Sequence, residues 1–298
     1  MANNTEKKKI LITGGSGFIG QHLVKKLEDQ GHSVEVFDLI NGQDLLNSQQ
    51  VDEAIKGKDV VFHLAAIADL YESKKNPSKN MNINVVGTIN VAEACLKHKA
   101  ILNYASTCCV YGNPEVHPSV EKSLPNPTEI YACSKLAGEY VILGYAKTCG
   151  LKYNIMRFAT IYGPGMRSAL ATYVFLDQAI KGLPITVHGT GKQTRTLTFT
   201  EDLVDGMIEW FNSGITDEIV NLTTEEEISV LETIEMIKKM TGSKSEIVFL
   251  PERQGQIFRE QIEAQKALAL FGWKAKHTFE EGMAKTYKWF LENEANKK

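Results

Sequence analysis

A phenol and an ammonium stand four residues apart in Tyr131-Ala132-Cys133-Ser134-Lys135. On a helix that spacing puts both side chains on one face, and a phenol beside a cation can serve as a base. Free tyrosine titrates near ~10, and each unit of descent toward neutrality takes about 1.36 kcal/mol in favour of the phenolate. A cation close to the ring, in a site of lowered dielectric, supplies part of that. Ser106-Thr107 offers hydroxyls just ahead of Cys108-Cys109-Val110-Tyr111-Gly112, and a hydroxyl there can bond both the phenol and a substrate hydroxyl. Taken alone, a YxxxK pair is common on solvated helix faces and a strand-end Thr often caps a turn. The pair needs partners.

The first partner is Thr13-Gly14-Gly15-Ser16-Gly17-Phe18-Ile19-Gly20, which follows a β-branched run and opens an amphipathic one. It reads as GxGxxG from Gly15 or GxxGxxG from Gly14. Either spacing brings backbone N–H groups and a helix N-terminus against a pyrophosphate with no Cβ in the way. Gly14, Gly17, Phe18, Ile19 and Gly20 are therefore the expected dinucleotide contacts. Asp38 ends the next run, where a carboxylate would accept from the ribose hydroxyls and repel a 2′-phosphate; no Arg follows it in Leu39-Ile40-Asn41. The expected cofactor is NAD rather than NADP.

Such a site needs a parallel sheet behind it. Runs at 9–13, 33–38, 59–64, 101–106 and 152–158 read as strands, alternating with helical patterns at 18–30, 49–56, 80–99 and 129–149. The expectation is an α/β protein with a Rossmann-type doubly wound sheet. After about residue 160 the alternation loosens into helices near 168–181, 200–212, 228–241, 263–271 and 279–293, with short strands at 185–188, 219–222 and 246–249. Residues 1–160 read as an NAD-binding domain, and 161–298 as a smaller C-terminal α/β substrate lobe interleaved with it, some segments returning to the sheet. No Pro/Gly-rich linker divides them, which predicts a cleft at the carboxyl ends of the strands.

Composition closes off other classes. With 298 residues, 43% hydrophobic and 23% charged, the chain is neither disordered nor fibrous. Thirty-three basic residues against 36 acidic ones give a net charge of -3, so no bulk attraction for nucleic acid or an anionic membrane is expected. No 18-residue apolar window appears, hence no membrane span. Five cysteines without a CxxC pair, and no His at ligand spacing, predict reduced thiols, no metal and a cytoplasmic location.

The combination resembles the extended short-chain dehydrogenase/reductase family, within it the NAD-dependent nucleotide-sugar epimerases and dehydratases. The resemblance rests on the glycine turn, His63-Leu64-Ala65-Ala66, Asn84-Val85-Val86-Gly87-Thr88, the Ser106–Gly112 segment, the Tyr/Lys pair, Arg157 through Tyr162-Gly163-Pro164, and Gly189-Thr190-Gly191-Lys192-Gln193-Thr194-Arg195. It continues to Gly272-Trp273-Lys274 and Glu280-Glu281-Gly282. It implies that Tyr131 is the proton acceptor, that Lys135 holds the nicotinamide ribose and depresses the tyrosine, and that Thr107 orients the sugar. It further implies that Asp44 and Leu45 contact the adenine, that Leu64, Ala65, Ala66 and Asn84 line the cofactor, and that Arg195 and Arg253 grip the diphosphate of a nucleoside-diphosphate sugar. A homodimer joined through the helices at 80–99 and 129–149 is implied as well.

Departures narrow the reaction. Dehydratases of this family follow the Thr with Asp and Glu; here stand Cys108 and Cys109, whose unperturbed thiols titrate about four units higher, which disfavours dehydration. Asp38 argues against the NADPH-using GDP-fucose synthase type. Thr160 replaces the Asn of neutral-sugar 4-epimerases, and with Arg167 seven residues on resembles the uronate type, where the two would hold a sugar carboxylate; Arg167 reads equally as a loop cap or partner of a local acid. Ala68 and Ala169 replace polar galactose contacts. The expected reaction is inversion at C4 of a UDP-hexose or UDP-hexuronate through a transient 4-keto sugar. A decarboxylase, reductase or dehydratase of the family, or a non-catalytic NAD-binding regulator, are the alternatives.

Overall fold

The computed structural model describes residues 6–295. The first half alternates β1 (Lys9–Thr13), α1 (Phe18–Asp29), β2 (Ser33–Phe37), α2 (Ser48–Ile55), β3 (Val60–His63), α3 (Leu70–Lys75), α4 (Pro77–Met81), a π-turn (Asn82–Val86), α5 (Gly87–His98), β4 (Ile101–Thr107), α6 (Ile130–Cys149) and β5 (Tyr153–Phe158). The second half holds β6 (Thr160–Tyr162), α7 (Ala171–Ile180), β7 (Ile185–His188), β8 (Thr194–Phe199), α8 (Thr200–Ser213), β9 (Glu218–Leu222), β10 (Glu227–Ser229), α9 (Val230–Thr241), β11 (Ile247–Leu250), α10 (Gln265–Phe271) and α11 (Phe279–Ala295).

Six strands form one parallel sheet in the order β2-β1-β3-β4-β5-β9. Burial on both faces explains the near-continuous apolar runs such as Ile10-Leu11-Ile12 and Val60-Val61-Phe62, all 3% exposed or less. One face packs Ile10, Ile12 and Phe62 with residues of α1, α8 and α10; the other packs Leu11, Val61 and Leu102 with α2, α5 and α6. This is the doubly wound, Rossmann-type fold expected from the alternation.

The chain turns opposite ways on the two sides of β1, so a crevice opens between the carboxyl ends of β1 and β3. The glycine turn follows the first strand and Leu64-Ala65-Ala66 the second. A third core joins β6, β7 and β8 to α7, α9 and α11 through Phe175, Leu176, Phe199, Ile234 and Phe279. It builds the smaller lobe around a three-stranded sheet, β10-β8-β6, and a two-stranded one, β11-β7.

The expectation of one helix over 80–99 gives way to three pieces, α4, the π-turn and α5. The helix expected near 168–181 starts only at Ala171, after the Gly163-Pro164-Gly165 loop. Strands β6, β8 and β10 and helix α3 had no counterpart in the sequence reading. Three-residue strands carry too little alternation to be read, and in β8 a Thr at every second place hides the buried face. Strand β9 lies in the main sheet and α8 packs on α1, so the chain returns from the lobe to the sheet. Among the described residues, no helix is long and apolar enough to cross a membrane.

Candidate active site

The glycine turn is built for close approach. Gly14 adopts φ +72°, and a Cβ there would come within 2.7 Å of the Ala65 nitrogen; one on Gly20 would meet the Gly15 Cα at 2.7 Å. Helix α1 starts at Phe18 after the N-cap Gly17, which offers no side-chain cap, and it has no acid in its first turn. Its end N–H groups therefore face the crevice unclaimed by side chains, as an anionic pyrophosphate requires. Phe18 and Ile19 are half-buried at its first turn. Asp38 accepts from Ser16 N at 3.1 Å and Ile40 N at 3.3 Å, which fixes its carboxylate at the mouth of the turn. Beyond it, Asp44 accepts from Leu46 N at 2.9 Å, and the Leu45 carbonyl accepts from Asn90 at 2.8 Å.

The opposite wall is braced from beneath. Thr13 Oγ1 bonds His63 Nδ1 at 2.7 Å and accepts from Ala65 N at 3.3 Å, while His63 Nε2 bonds Thr88 at 3.1 Å. Burial, with help from the Lys135 charge, holds this imidazole down at about 3, so it stays neutral. Asn84, in the π-turn, is buried; its side chain clasps Ile67 N and O at 2.8 and 3.0 Å and donates to Ser134 Oγ at 2.9 Å. It ties the segment after Leu64, Ala65 and Ala66 to the helix that carries Tyr131.

Helix α6 presents Tyr131, Lys135 and Glu139 at successive turns of one face. Lys135 is 2% exposed, with its ammonium 4.0 Å from the centre of the Tyr104 ring. Gly138 lets that ring lie against the helix, since a Cβ there would stand 2.9 Å from Tyr104 Cζ, and the Tyr104 hydroxyl donates to the Lys135 carbonyl at 3.2 Å. Burial lowers Lys135 to about 7, opposed by Glu139. Tyr131 is half-buried; its desolvation pushes the phenol up, the Cys109 thiol adds to this, and Arg167 and a hydrogen bond with Thr107 pull it down. Thr107 is buried at the end of β4, where its hydroxyl caps a turn by accepting from Cys109 N at 3.2 Å and lies close enough to the Tyr131 phenol to lower it.

Beside the pair lies a charged cluster that joins Arg157, Ser106 and Tyr111 of the motifs to Glu139 and Asn221, which belong to none. Arg157 meets Glu139 through two contacts of 2.9 and 2.6 Å, both side chains under 5% exposed. Ser106 donates to the same carboxylate, and Tyr111 accepts from Arg157 at 2.9 Å and donates to Asn221 at 2.7 Å. Toward the lobe, Glu129, just before α6, is pushed up by burial and pulled down by Arg195 and then Arg253. Arg195 is pinned through Nη1 to the Thr194 and Ile257 carbonyls at 2.7 and 2.8 Å. Arg253 is exposed and lies 5.1 Å from the Tyr71 ring centre. Thr160 opens β6, half-buried, and Arg167 is exposed in the following loop.

The structure thus brings Thr107 near Tyr131, sets Lys135 one turn further along the same face of α6, and brings the charge of Arg167 to bear on Tyr131 and those of Arg195 and Arg253 on Glu129. Tyr104 and Glu139 escape a motif-based reading. Their only signal is a polar residue facing inward on a helix and a tyrosine within a buried strand, which in sequence resemble ordinary amphipathic positions.

The family model described as NAD dependent epimerase/dehydratase family matches residues 10–223. The UDP-glucuronic acid decarboxylase 1 of Danio rerio is 36% identical to the chain, the match covering 98% of this chain and 75% of that protein. Among solved structures, the UDP-glucose 4-epimerase of Thermotoga maritima with UDP-glucose superposes with a TM-score of 0.92 at 27% identity, over 96% of this chain and 99% of that one. The UDP-glucuronic acid 4-epimerase of Bacillus cereus, in complex with UDP-glucuronic acid and NAD, gives a TM-score of 0.89 at 28% identity over the same shares.

Proposed function

The chain belongs to the NAD-dependent epimerase/dehydratase family, and on that footing we propose that it inverts C4 of a UDP-hexuronate through a transient 4-keto sugar. The observation that carries the reading is Tyr131 itself, with the Thr107 hydroxyl and the Arg167 charge both acting to favour its phenolate. NAD supplies, when bound, the acceptor and donor of the C4 hydride. The glycine turn, Asp38, Leu64, Ala65 and Ala66 would hold it.

In this reading Tyr131 takes the proton of the C4 hydroxyl and returns it after the flat ketone has turned over. Thr107 keeps the sugar oxygen in line with the phenol, and the Lys135 cation favours the phenolate. Burial opposes that phenolate in the protein alone, so the cations around it must overcome the desolvation. Arg195 and Arg253 would grip the diphosphate through guanidinium forks, with Glu129 as their partner before binding. Binding energy remote from C4 then leaves the sugar free to turn.

Thr160 and Arg167 would receive the sugar carboxylate. A ketone at C4 makes that carboxylate prone to leave as CO2, and a cation paired with it stabilises the charged form and slows the loss. This favours inversion. Decarboxylation is the second reading, supported by the identity with a UDP-glucuronic acid decarboxylase.

The test is to incubate the protein with UDP-glucuronate, UDP-glucose and other UDP-sugars and follow the products by NMR. UDP-galacturonate from UDP-glucuronate supports inversion; a UDP-pentose with released CO2 overturns it for decarboxylation; recovery of every UDP-sugar unchanged overturns both. Arg167→Leu should impair the acidic sugar alone, and equal loss on a neutral sugar would remove the carboxylate role.

A further inference from the structure

Glu260 belongs to none of the motifs, yet the fold buries its carboxyl, at 4% exposure, against the strands that carry Thr160 and Arg195. The segment after Arg253 runs beside β8: Thr194 N donates to the Phe258 carbonyl at 2.9 Å and Glu260 N to the Thr194 carbonyl at 3.3 Å. The Glu260 carboxylate accepts from Thr196 N at 3.3 Å, Thr196 Oγ1 donates to the Glu260 carbonyl at 2.8 Å, and the Thr160 N–H lies close enough to favour the charged carboxylate. Its charge also reaches the thiols of Cys108 and Cys109, directly after Thr107. A carboxyl therefore returns, from a distant part of the chain, to the neighbourhood where the sequence has two cysteines.

The groups facing it are Arg195 from β8, Cys108 and Cys109 from the turn after β4, and the N–H groups of Thr160 and Thr196. Burial raises Glu260, and Arg195 and the two N–H groups draw it back. The balance is poised for a nearby charge to tip, because two carboxylates sharing a site of low dielectric do not both ionise.

We propose that Glu260 sets the charge selectivity of the sugar pocket: an acidic sugar seated against Thr160 binds with Glu260 protonated, whereas a neutral sugar binds whatever its state. The inference rests on the nucleotide-sugar reading above and names a residue that discriminates between two substrates of that site. Binding of the acidic sugar then takes up one proton.

The experiment measures the affinities of UDP, UDP-glucose and UDP-glucuronate across neutral pH by calorimetry, in wild type and Glu260→Gln. Above the titration of Glu260, wild type should lose about tenfold in UDP-glucuronate affinity per pH unit, with a flat profile for UDP-glucose. In Glu260→Gln the acidic-sugar slope should vanish. A slope that survives the substitution, or one equal for both sugars, overturns the proposal. Should the variant not fold, repeating the wild-type titrations in buffers of different ionisation heat decides: one proton taken up with UDP-glucuronate and none with UDP-glucose supports it, and equal uptake overturns it. Failure of UDP itself to bind would bring down the nucleotide-sugar reading and this inference with it. Binding of UDP and UDP-glucose, with a flat profile for UDP-glucuronate, would bring down Glu260 alone.

Discussion

Lys135 and Glu139 sit one turn apart on the same face of α6, equally buried, and the protein treats their charges in opposite ways. Glu139 is matched atom for atom: both oxygens take a nitrogen of Arg157, and Ser106 adds a hydroxyl. Lys135 has the ring of Tyr104 and the field of Glu139, which do not offset its burial, and its affinity for a proton falls to about 7. One turn of helix is a braced foundation. The next holds an ammonium whose burial its neighbours do not offset, the kind of environment that concentrates at functional sites. A stabilising network and a destabilised reactive group are adjacent because the first keeps the second in place.

The comparison breaks most visibly at the braced end. Glu139→Ala leaves the Arg157 guanidinium buried without its carboxylate and should cost about 3–5 kcal/mol, read as a large fall in the unfolding midpoint. Replacing both partners with apolar residues, Glu139→Leu with Arg157→Met, should recover much of that, and a double variant as unstable as Glu139→Ala would show that the pair does more than neutralise itself.

At the reactive end the signs reverse. Tyr131→Phe should lower sugar turnover about a thousandfold with the unfolding midpoint nearly unchanged; substantial activity in this variant would remove Tyr131 from the role of base. Lys135→Met should stabilise the protein, by up to about 5 kcal/mol where the ammonium is charged. The folded protein releases this proton near pH 7 and the unfolded chain only near the ordinary 10.5. Between those values the unfolded state binds more protons, so wild-type stability rises with pH. The advantage of the variant should accordingly be full below pH 7 and close as pH approaches 10.5, as denaturant titrations at several pH values would reveal. A constant advantage would mean that packing, and not charge, sets it.

The smallest effect separates the two ends most finely. Ser106→Ala removes one donor from a carboxylate that keeps Arg157 and should cost about 1–2 kcal/mol. Turnover should fall less than twofold if the foundation tolerates the loss; a large kinetic effect without a stability change would show that Glu139 positions Lys135 directly.

Much of this architecture is legible in the amino-acid sequence. The glycine turn, Asp38, Thr107 and the Tyr131/Lys135 pair are local patterns, dictated by how a strand must turn into a helix around a phosphate and by helical spacing. Five of the six parallel strands could be read from their runs of apolar and β-branched residues, while β9 could be read only as a short strand of the second half, because its place beside β5 depends on the chain's return from the lobe. In the lobe β7 and β11 were legible, but β6 and β10 were not, since they have three residues each and take their form from neighbours.

By itself the sequence determined that a doubly wound sheet would carry a dinucleotide turn and a phenol/ammonium pair, because those features depend on residues within a few positions of one another. Only the tertiary structure decided what surrounds the pair. Tyr104 comes to lie under Lys135, and the charge of Glu260 comes to act on Cys108 and Cys109 and those of Arg195 and Arg253 on Glu129, across separations from tens of residues to more than a hundred along the chain. Their charge states follow from burial and from partners brought by packing, and neither is written in the spacing of a motif.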